Sequence, residues 1–254
     1  MQTLTEFYRS VYVPTRLKKR ESTTLIQYKA TINLVTEILG NLPLDQYDLL
    51  QSAFTAEMKG RNAADATIDK HIRHINAVFK HAKVAIWNRH DVPEKQPKIV
   101  FDNEFQALYR AFGNENQFPK YLAAKNRPHF WRTIMEFVAV TALRREAVLS
   151  LEWCNVNTKE RFLTVEEWQD KKKRRRFKPL TDDLIAKLHK LQGFGTVTGP
   201  KRHCLFPWVH GDKKWYECWN SAKNAAGVTV GLHDLKRFSG ELALRCGATE
   251  LELM

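Results

Sequence analysis

The chain has 254 residues, 43% of them hydrophobic, enough to build one large core or two smaller ones, which excludes a disordered protein. Its 41 Lys and Arg against 28 Asp and Glu leave a formal net charge of +13, spread along the chain rather than confined to a tail. A polyanionic partner follows, nucleic acid first and an anionic membrane surface second. No apolar run approaches the ~20 residues of a membrane span, and the opening Met1-Gln2-Thr3-Leu4 starts no signal peptide, so a soluble intracellular protein is expected. The cysteines Cys154, Cys204, Cys218 and Cys246 are scattered without a C-x-x-C pair; buried thiols are expected, not zinc or a disulfide framework.

Residues 1–92 read as a small, basic, helical domain. Thr3 to Glu6 opens an amphipathic segment that Pro14 and the basic run Arg16–Arg20 are expected to break. Ser22 and Thr23 cap a second helix, buried through Leu25, Tyr28, Ile32 and Val35 and ending at Gly40; a third covers Tyr47 to Lys59. The fourth, Ala64 to Lys83, carries the clearest stripe in Ile68, Ile72, Ile75, Phe79 and Ala82, with Lys70, Arg73 and Lys80 aligned off it. Its positive face is a candidate to lie along a DNA groove, though such faces are also simply solvated. His71, His74 and His81 share this helix without the acids or cysteines of a metal shell, so phosphate contact or plain surface is expected for them. Residues 93–98, with Pro93, Pro97 and mixed charge, read as a linker.

Residues 99–254 form the second expected domain. Asp102 to Phe112 is a short helix and Phe130 to Val140 an apolar one. In the following T-A-L-R-R-E-A-V-L-S-L-E-W, Leu143, Val148, Leu151 and Trp153 are core positions, which sets Arg144 between apolar segments. An arginine there needs a carboxylate, such as Glu146, or a bound anion. Arg161 to Glu167, with Phe162, Thr164 and Val165 inward, pairs with the strand ended by Pro179 in a β-hairpin whose turn lies near Gln169 to Lys173. The basic run Lys171–Arg176 is an import signal, a solvated loop, or a turn whose mutual repulsion phosphates relieve. Near the end, Leu235, Phe238, Leu242 and Cys246 mark one helix face, with His233 in its first turn and Lys236 and Arg237 one turn on. One imidazole and two cations suit a phosphate oxyanion; a solvated basic face is the alternative. After Gly247, Thr249 and Glu252 would cap a helix given barely a turn before Met254, so a C-terminal truncation is expected.

T-A-L-R-R-E-A-V-L-S-L-E-W, a lysine-bearing hairpin ending F-K-P-L, then C-L-F-P-W and H-D-L-K-R, in that order, resemble the tyrosine recombinases, or phage integrases. The N-terminal T-I-D-K-H-I-R-H-I-N-A-V-F-K-H-A resembles that family's helical core-binding domain. The resemblance implies a mainly α (α+β) fold: a helical core-binding domain and an integrase-type catalytic domain with a small antiparallel sheet, gripping duplex DNA between them. It implies DNA strand exchange through a 3′-phosphotyrosine and a free 5′-hydroxyl, without metal or nucleotide cofactor, by a protein monomeric when free and tetrameric on DNA. A cytoplasmic, nucleoid-associated location and no membrane partner go with it.

By that resemblance Arg144 is the family's first arginine, Lys171 the hairpin lysine that protonates the leaving oxygen, with Lys172 and Lys173 as alternatives, and His233 the family histidine. Lys70, Arg73, Lys80, Lys172, Lys173, Arg174 and Arg175 are the expected DNA contacts. Three departures stand out. The second arginine falls on Lys236, which lacks the guanidinium fork that neighbouring Arg237 could offer. The acid expected three residues after Arg144 is Ala147, with Glu146 one position early. All seven tyrosines precede His233, so no nucleophile stands at the family's place, and DNA binding without cleavage is expected. A noncatalytic accessory protein descended from a recombinase is the main rival; a type IB topoisomerase and a general RNA-binding protein are weaker ones.

Overall fold

The computed structural model describes residues 2–18, 22–94, 96, 98–114, 126–170, 172–192, 203–245 and 247. The chain divides into two compact units, Met1–Gln96 and Pro97–Met254.

The first unit is helical. Helix α1 (Leu4–Phe7) starts with a capping box, in which Thr3 and Glu6 satisfy each other's backbone N–H. It runs straight into a π-helical stretch, Tyr8–Leu17. Pro14 therefore does not break the segment as the sequence led us to expect. The wider π turn absorbs the missing N–H, and burial of Tyr8, Tyr12 and Leu17 holds the chain in place. Helix α2 (Ser22–Leu39) ends at Gly40, whose φ of +86° is glycine's territory. A 3-10 turn, Leu44–Leu50, precedes α3 (Gln51–Gly60), and α4 (Asp65–Ala82) completes the unit. Ile68, Ile72, Ile75 and Phe79 on α4 are fully buried with Tyr47 and Phe54. Asn76 fixes the segment after α4 by donating to the Trp87 carbonyl (2.7 Å) and accepting from its N–H (2.8 Å).

The α4 histidines are not surface groups. His71 is buried and His74 half-buried, their Nδ1 atoms 2.9 and 3.0 Å from the Thr31 hydroxyl, while His81 sits 3.0 Å from that of Thr15. Thr31 has one hydroxyl hydrogen and donates it to Gln27 O, so both rings satisfy the oxygen by presenting Nδ1–H. Tyr28, on α2, stacks on His74 at 4.4 Å. A 3.6-residue period puts these histidines beside the apolar stripe, and the packing of α2 closes over them.

The second unit packs helices around a small sheet. α5 (Asp102–Ala111), α6 (Arg127–Thr141) and α7 (Arg145–Ser150) precede strands β1 (Val156–Asn157), β2 (Phe162–Val165) and β3 (Arg176–Pro179); α8 (Asp182–Gln192), α9 (Asp212–Ala226) and α10 (Leu232–Arg245) follow. The sheet is antiparallel in the order β1-β2-β3, with Leu163 opposite Lys178 and Val165 opposite Arg176. Leu163 is fully buried, whereas Phe162, assigned inward from the sequence, meets Phe177 edge-on at 5.5 Å on the other face. α6 is the spine of the unit, packed on α8, α10 and β3. On it, fully buried Trp131 contacts the rings of Phe112, Trp208, Trp215 and Trp219.

Cys204 and Cys218 are buried but Cys154 is exposed, because the 3-10 turn Trp153–Asn155 faces it outward; Cys246, Thr249 and Glu252 lie outside the described residues. No helix among the described residues is long and apolar enough to cross a membrane.

Candidate functional site

Ala142 ends α6 in the left-handed region (φ +55°), and two residues later Arg144 caps α7 in an extended conformation. This corner brings the side chain of Arg144 out of the apolar run on either side of it. The α10 end is set separately: Asp234 reaches back to the Gly231 N–H at 2.9 Å, and Trp219 Nε1 donates to Val230 O at 3.0 Å. His233 consequently occupies the first turn of α10 with Lys236 above it.

The two ends meet in one cavity of about 350 Å³, lined by Arg144, His233 and Lys236, with the aromatic faces of Trp215, Tyr216 and Trp219 from α9 forming its wall. The sequence-predicted Arg144, His233 and Lys236 are thus together. Arg237 is not in this lining; its guanidinium, half exposed, lies 3.9 Å from Asp234 on its own helix. Lys171 lies outside the described residues. Glu146, a proposed partner of Arg144, instead pairs with Arg145 at 2.9 Å.

Four groups that the sequence did not single out complete the surroundings. Arg145, largely buried, also binds Asp212 at 3.0 Å and lies over the Tyr216 ring at 5.0 Å, tying α7 to α9. Arg176 and Lys178 share the inner face of β3, as the two-residue period of a strand requires. Asp170 is buried, 2.9 Å from Arg176 Nε, and accepts from Lys172 N at 3.2 Å. Burial pushes the Asp170 carboxyl up, but the Lys172 N–H and the charges of Arg176, Arg144 and Lys172 outweigh it and hold the group below its usual range. Burial also lowers Lys236, helped by Arg144, Lys178 and Arg176, and lowers Lys178, helped by Arg176; Asp170 opposes both shifts. The signal available in the sequence was the alternation Arg176–Phe177–Lys178, which a reading of the run as one block of charge hides.

The remaining predicted contacts are on the surface. Lys172, Lys173, Arg174 and Arg175 are exposed between β2 and β3, with Lys173 at φ +52° and Arg175 5.6 Å over the exposed Phe177 ring. In the first unit Arg73 and Lys80 are exposed on α4, Lys70 is half-buried, and Arg73 pairs with Asp69 at 3.0 Å. Among the described residues no cluster of His, Cys, Asp and Glu could hold a metal ion.

Arg144 and Lys236 line a concave surface with an aromatic wall, with the β3 cations Arg176 and Lys178 within electrostatic reach of Lys236, and together they can hold an oxyanion and stabilise charge that builds on its oxygens. Comparison with known proteins bears on which one. A phage integrase family model matches residues 102–243. No curated protein matches the sequence significantly. Among solved structures, lambda integrase (residues 75–356), a dimer bound to a COC′ core site, superposes with a TM-score of 0.72 at 18% identity, over 97% of this chain and 92% of that one. The Tn1549 transposon integrase (residues 82–397) in complex with circular intermediate DNA gives 0.75 at 12% identity, over 100% and 90%. A lambda integrase tetramer bound to a Holliday junction gives 0.70 at 18%, over 97% and 71%. With these folds matched along nearly its whole length and the family model spanning more than half of it, the chain belongs to the phage integrase family of tyrosine recombinases.

Proposed function

We propose that this protein binds duplex DNA as a site-specific recombinase and holds a scissile phosphodiester against Arg144, His233 and Lys236. One observation carries the reading: Arg144 and the α10 pair His233 and Lys236, far from it in sequence, line one cavity with the charge to receive a phosphate. In the reaction a tyrosine oxygen attacks phosphorus, the bond to the 5′-oxygen breaks, and a 3′-phosphotyrosine forms. Arg144 and Lys236 face the charge that grows on the nonbridging oxygens, and a hairpin lysine, Lys171 in our assignment, gives its proton to the leaving oxygen. Lys172 to Arg175 and the α4 cations add phosphate contacts along the duplex. Self-association on DNA accompanies this reading, in line with the dimer and tetramer assemblies of the lambda integrase structures.

All seven tyrosines precede His233, and although Tyr216 lines the cavity we assign none of them as nucleophile. DNA binding is assigned to this chain; covalent attachment is assigned to a tyrosine outside these 254 residues. The test is a nicked suicide duplex carrying candidate attachment sites. A salt-sensitive gel shift with no covalent band from the wild type, and a covalent band when a tyrosine-bearing integrase segment is added, is the expected result. Absence of any shift at low salt refutes the proposal, and a covalent band lost in Tyr216→Phe refutes the assignment of the nucleophile. Lysine at position 236, without the bidentate fork, favours a second reading, a noncatalytic DNA-binding accessory protein. A shift that never becomes covalent with any added tyrosine selects it.

A further inference from the structure

In the second unit one buried carboxylate, Asp170, contacts Arg176 directly and lies within electrostatic reach of Arg144, Lys178 and Lys236, as well as of the exposed Lys172 next to it in the turn. Arg144, Arg176, Lys178 and Lys236 come from the α6–α7 corner, β3 and α10, so no single element sets their spacing. Like charges from separate elements repel, and side chains of this length swing apart unless an anion among them fixes their positions. Asp170 is that anion. It is 7% exposed, stands 2.9 Å from Arg176 Nε, and lies within electrostatic reach of the other three cations. Its segment is anchored independently: Gln169 donates to Ser150 O at 2.8 Å and Asn155 Oδ1 at 3.2 Å, and accepts from Glu166 N at 2.9 Å. Those bonds fasten the Asp170 backbone to the end of α7 and the turn before β1. The carboxylate is therefore a fixed point in the framework.

We propose that Asp170 is the positioning residue of the anion site, holding Arg144, Arg176, Lys178 and Lys236 in their array before a phosphodiester arrives. One carboxylate against four cations leaves the array strongly positive, so the same group that assembles it does not fill it. Position 147 on α7, three residues beyond Arg144, carries alanine, and the one carboxylate of α7, Glu146, is held by Arg145 at 2.9 Å, so the hairpin supplies the acid that faces Arg144. The assignment rests on the phosphodiester-binding reading of the cavity.

A purely local role is the competing account, since Asp170 also accepts from Lys172 N at 3.2 Å and so shapes its own turn. Two substitutions separate the accounts. Asp170→Asn keeps an oxygen for the Lys172 N–H and removes the charge; Asp170→Glu keeps the charge and lengthens the arm. The readout is the ammonium titration of Lys178 and Lys236 in the full chain by lysine-selective NMR, without DNA. We expect Asp170→Asn to shift both midpoints downward and to speed exchange of the Arg176 Nε–H, and Asp170→Glu to restore the midpoints toward wild type. Unchanged midpoints in a folded Asp170→Asn protein, or loss in Asp170→Glu alone, overturns the proposal. If Asp170→Asn does not fold, Arg176→Gln serves: removing a repelling cation is expected to raise the Lys178 midpoint, and no change overturns the array. A gel shift of the wild type with duplex DNA is run alongside. Responsive midpoints with no DNA shift sink the proposed function and leave the array standing; a DNA shift with unresponsive midpoints does the reverse.

Discussion

Acidification from pH 7 to 4.5 is expected to weaken the first unit through His71. Burial, with Lys70 and His74 nearby adding like charge, lowers this imidazole from 6.5 to about 4. The native state therefore binds fewer protons than the unfolded chain. The stabilisation is complete above pH 6.5 and is lost as pH falls toward 4. Integrating between those two values gives a loss of about 2 kcal/mol at pH 4.5 from this residue alone. His74, lowered mainly by its own burial and then by Lys70 and Arg73, adds to it in the same direction. Asp65, lowered by the His90 bond, and Asp69, lowered by the Arg89 bond, lose their contributions only as pH drops below 3.8, outside the window. For a unit of this size, with a urea slope of about 1 kcal/mol per molar, the midpoint should move down by about 2 M. Fluorine-labelled tryptophan reports it directly, because Trp87 is the one tryptophan before residue 97. His71→Gln, which retains a hydrogen-bonding group but does not titrate, should flatten most of the dependence. A midpoint that barely moves in the wild type, or moves as far in His71→Gln, refutes the reasoning.

Three further outcomes follow from the same structure. Lys236→Ala should weaken DNA binding across sequences and reduce the slope of log affinity against log salt by about 1, measured by fluorescence anisotropy; an unaltered slope removes Lys236 from phosphate contact. Replacing both Arg174 and Arg175 with alanine should reduce that slope by about 2 while leaving the melting temperature unchanged, since both side chains are exposed. Gly113→Ala should cost about 1–3 kcal/mol in thermal unfolding, because an added Cβ would lie 2.8 Å from the Arg110 carbonyl and 2.6 Å from Arg132 Nη2, and that carbonyl accepts from the Gly113 N–H at 2.8 Å, a bond its retreat would strain. An unperturbed melting temperature in that variant would show that the α5 end relaxes freely.

Much of the helical framework was readable from residue order. The α4 stripe, the Thr3/Glu6 cap, the stop at Gly40 and the inward Leu235 and Phe238 of α10 follow from local rules that need no knowledge of the partner surface. So did the nearness of His233 and Lys236, which one helical turn guarantees. Pro14 was misjudged because whether a helix survives a lost hydrogen bond depends on what its side chains bury, and Tyr8, Tyr12 and Leu17 meet their partners only in the folded unit. Thr164 and Val165 of the hairpin are buried as read but Phe162 is not, for a related reason. In Phe162–Leu163–Thr164–Val165 every residue is compatible with burial, and the β3 register, which sets Leu163 against Lys178, decides which side faces α6.

The sequence by itself determined the charge, the order of the motifs and the helix faces, because composition and short-range periodicity are properties of neighbouring residues. Only the tertiary structure decided that Arg144 shares a cavity with Lys236 and that Arg237 does not. It alone placed Arg176 and Lys178 beside a buried Asp170, inside a run that reads as undivided surface charge. A charge acts through space, and the distances between charges on α7, β3 and α10 are set by the packing of α6 beneath them.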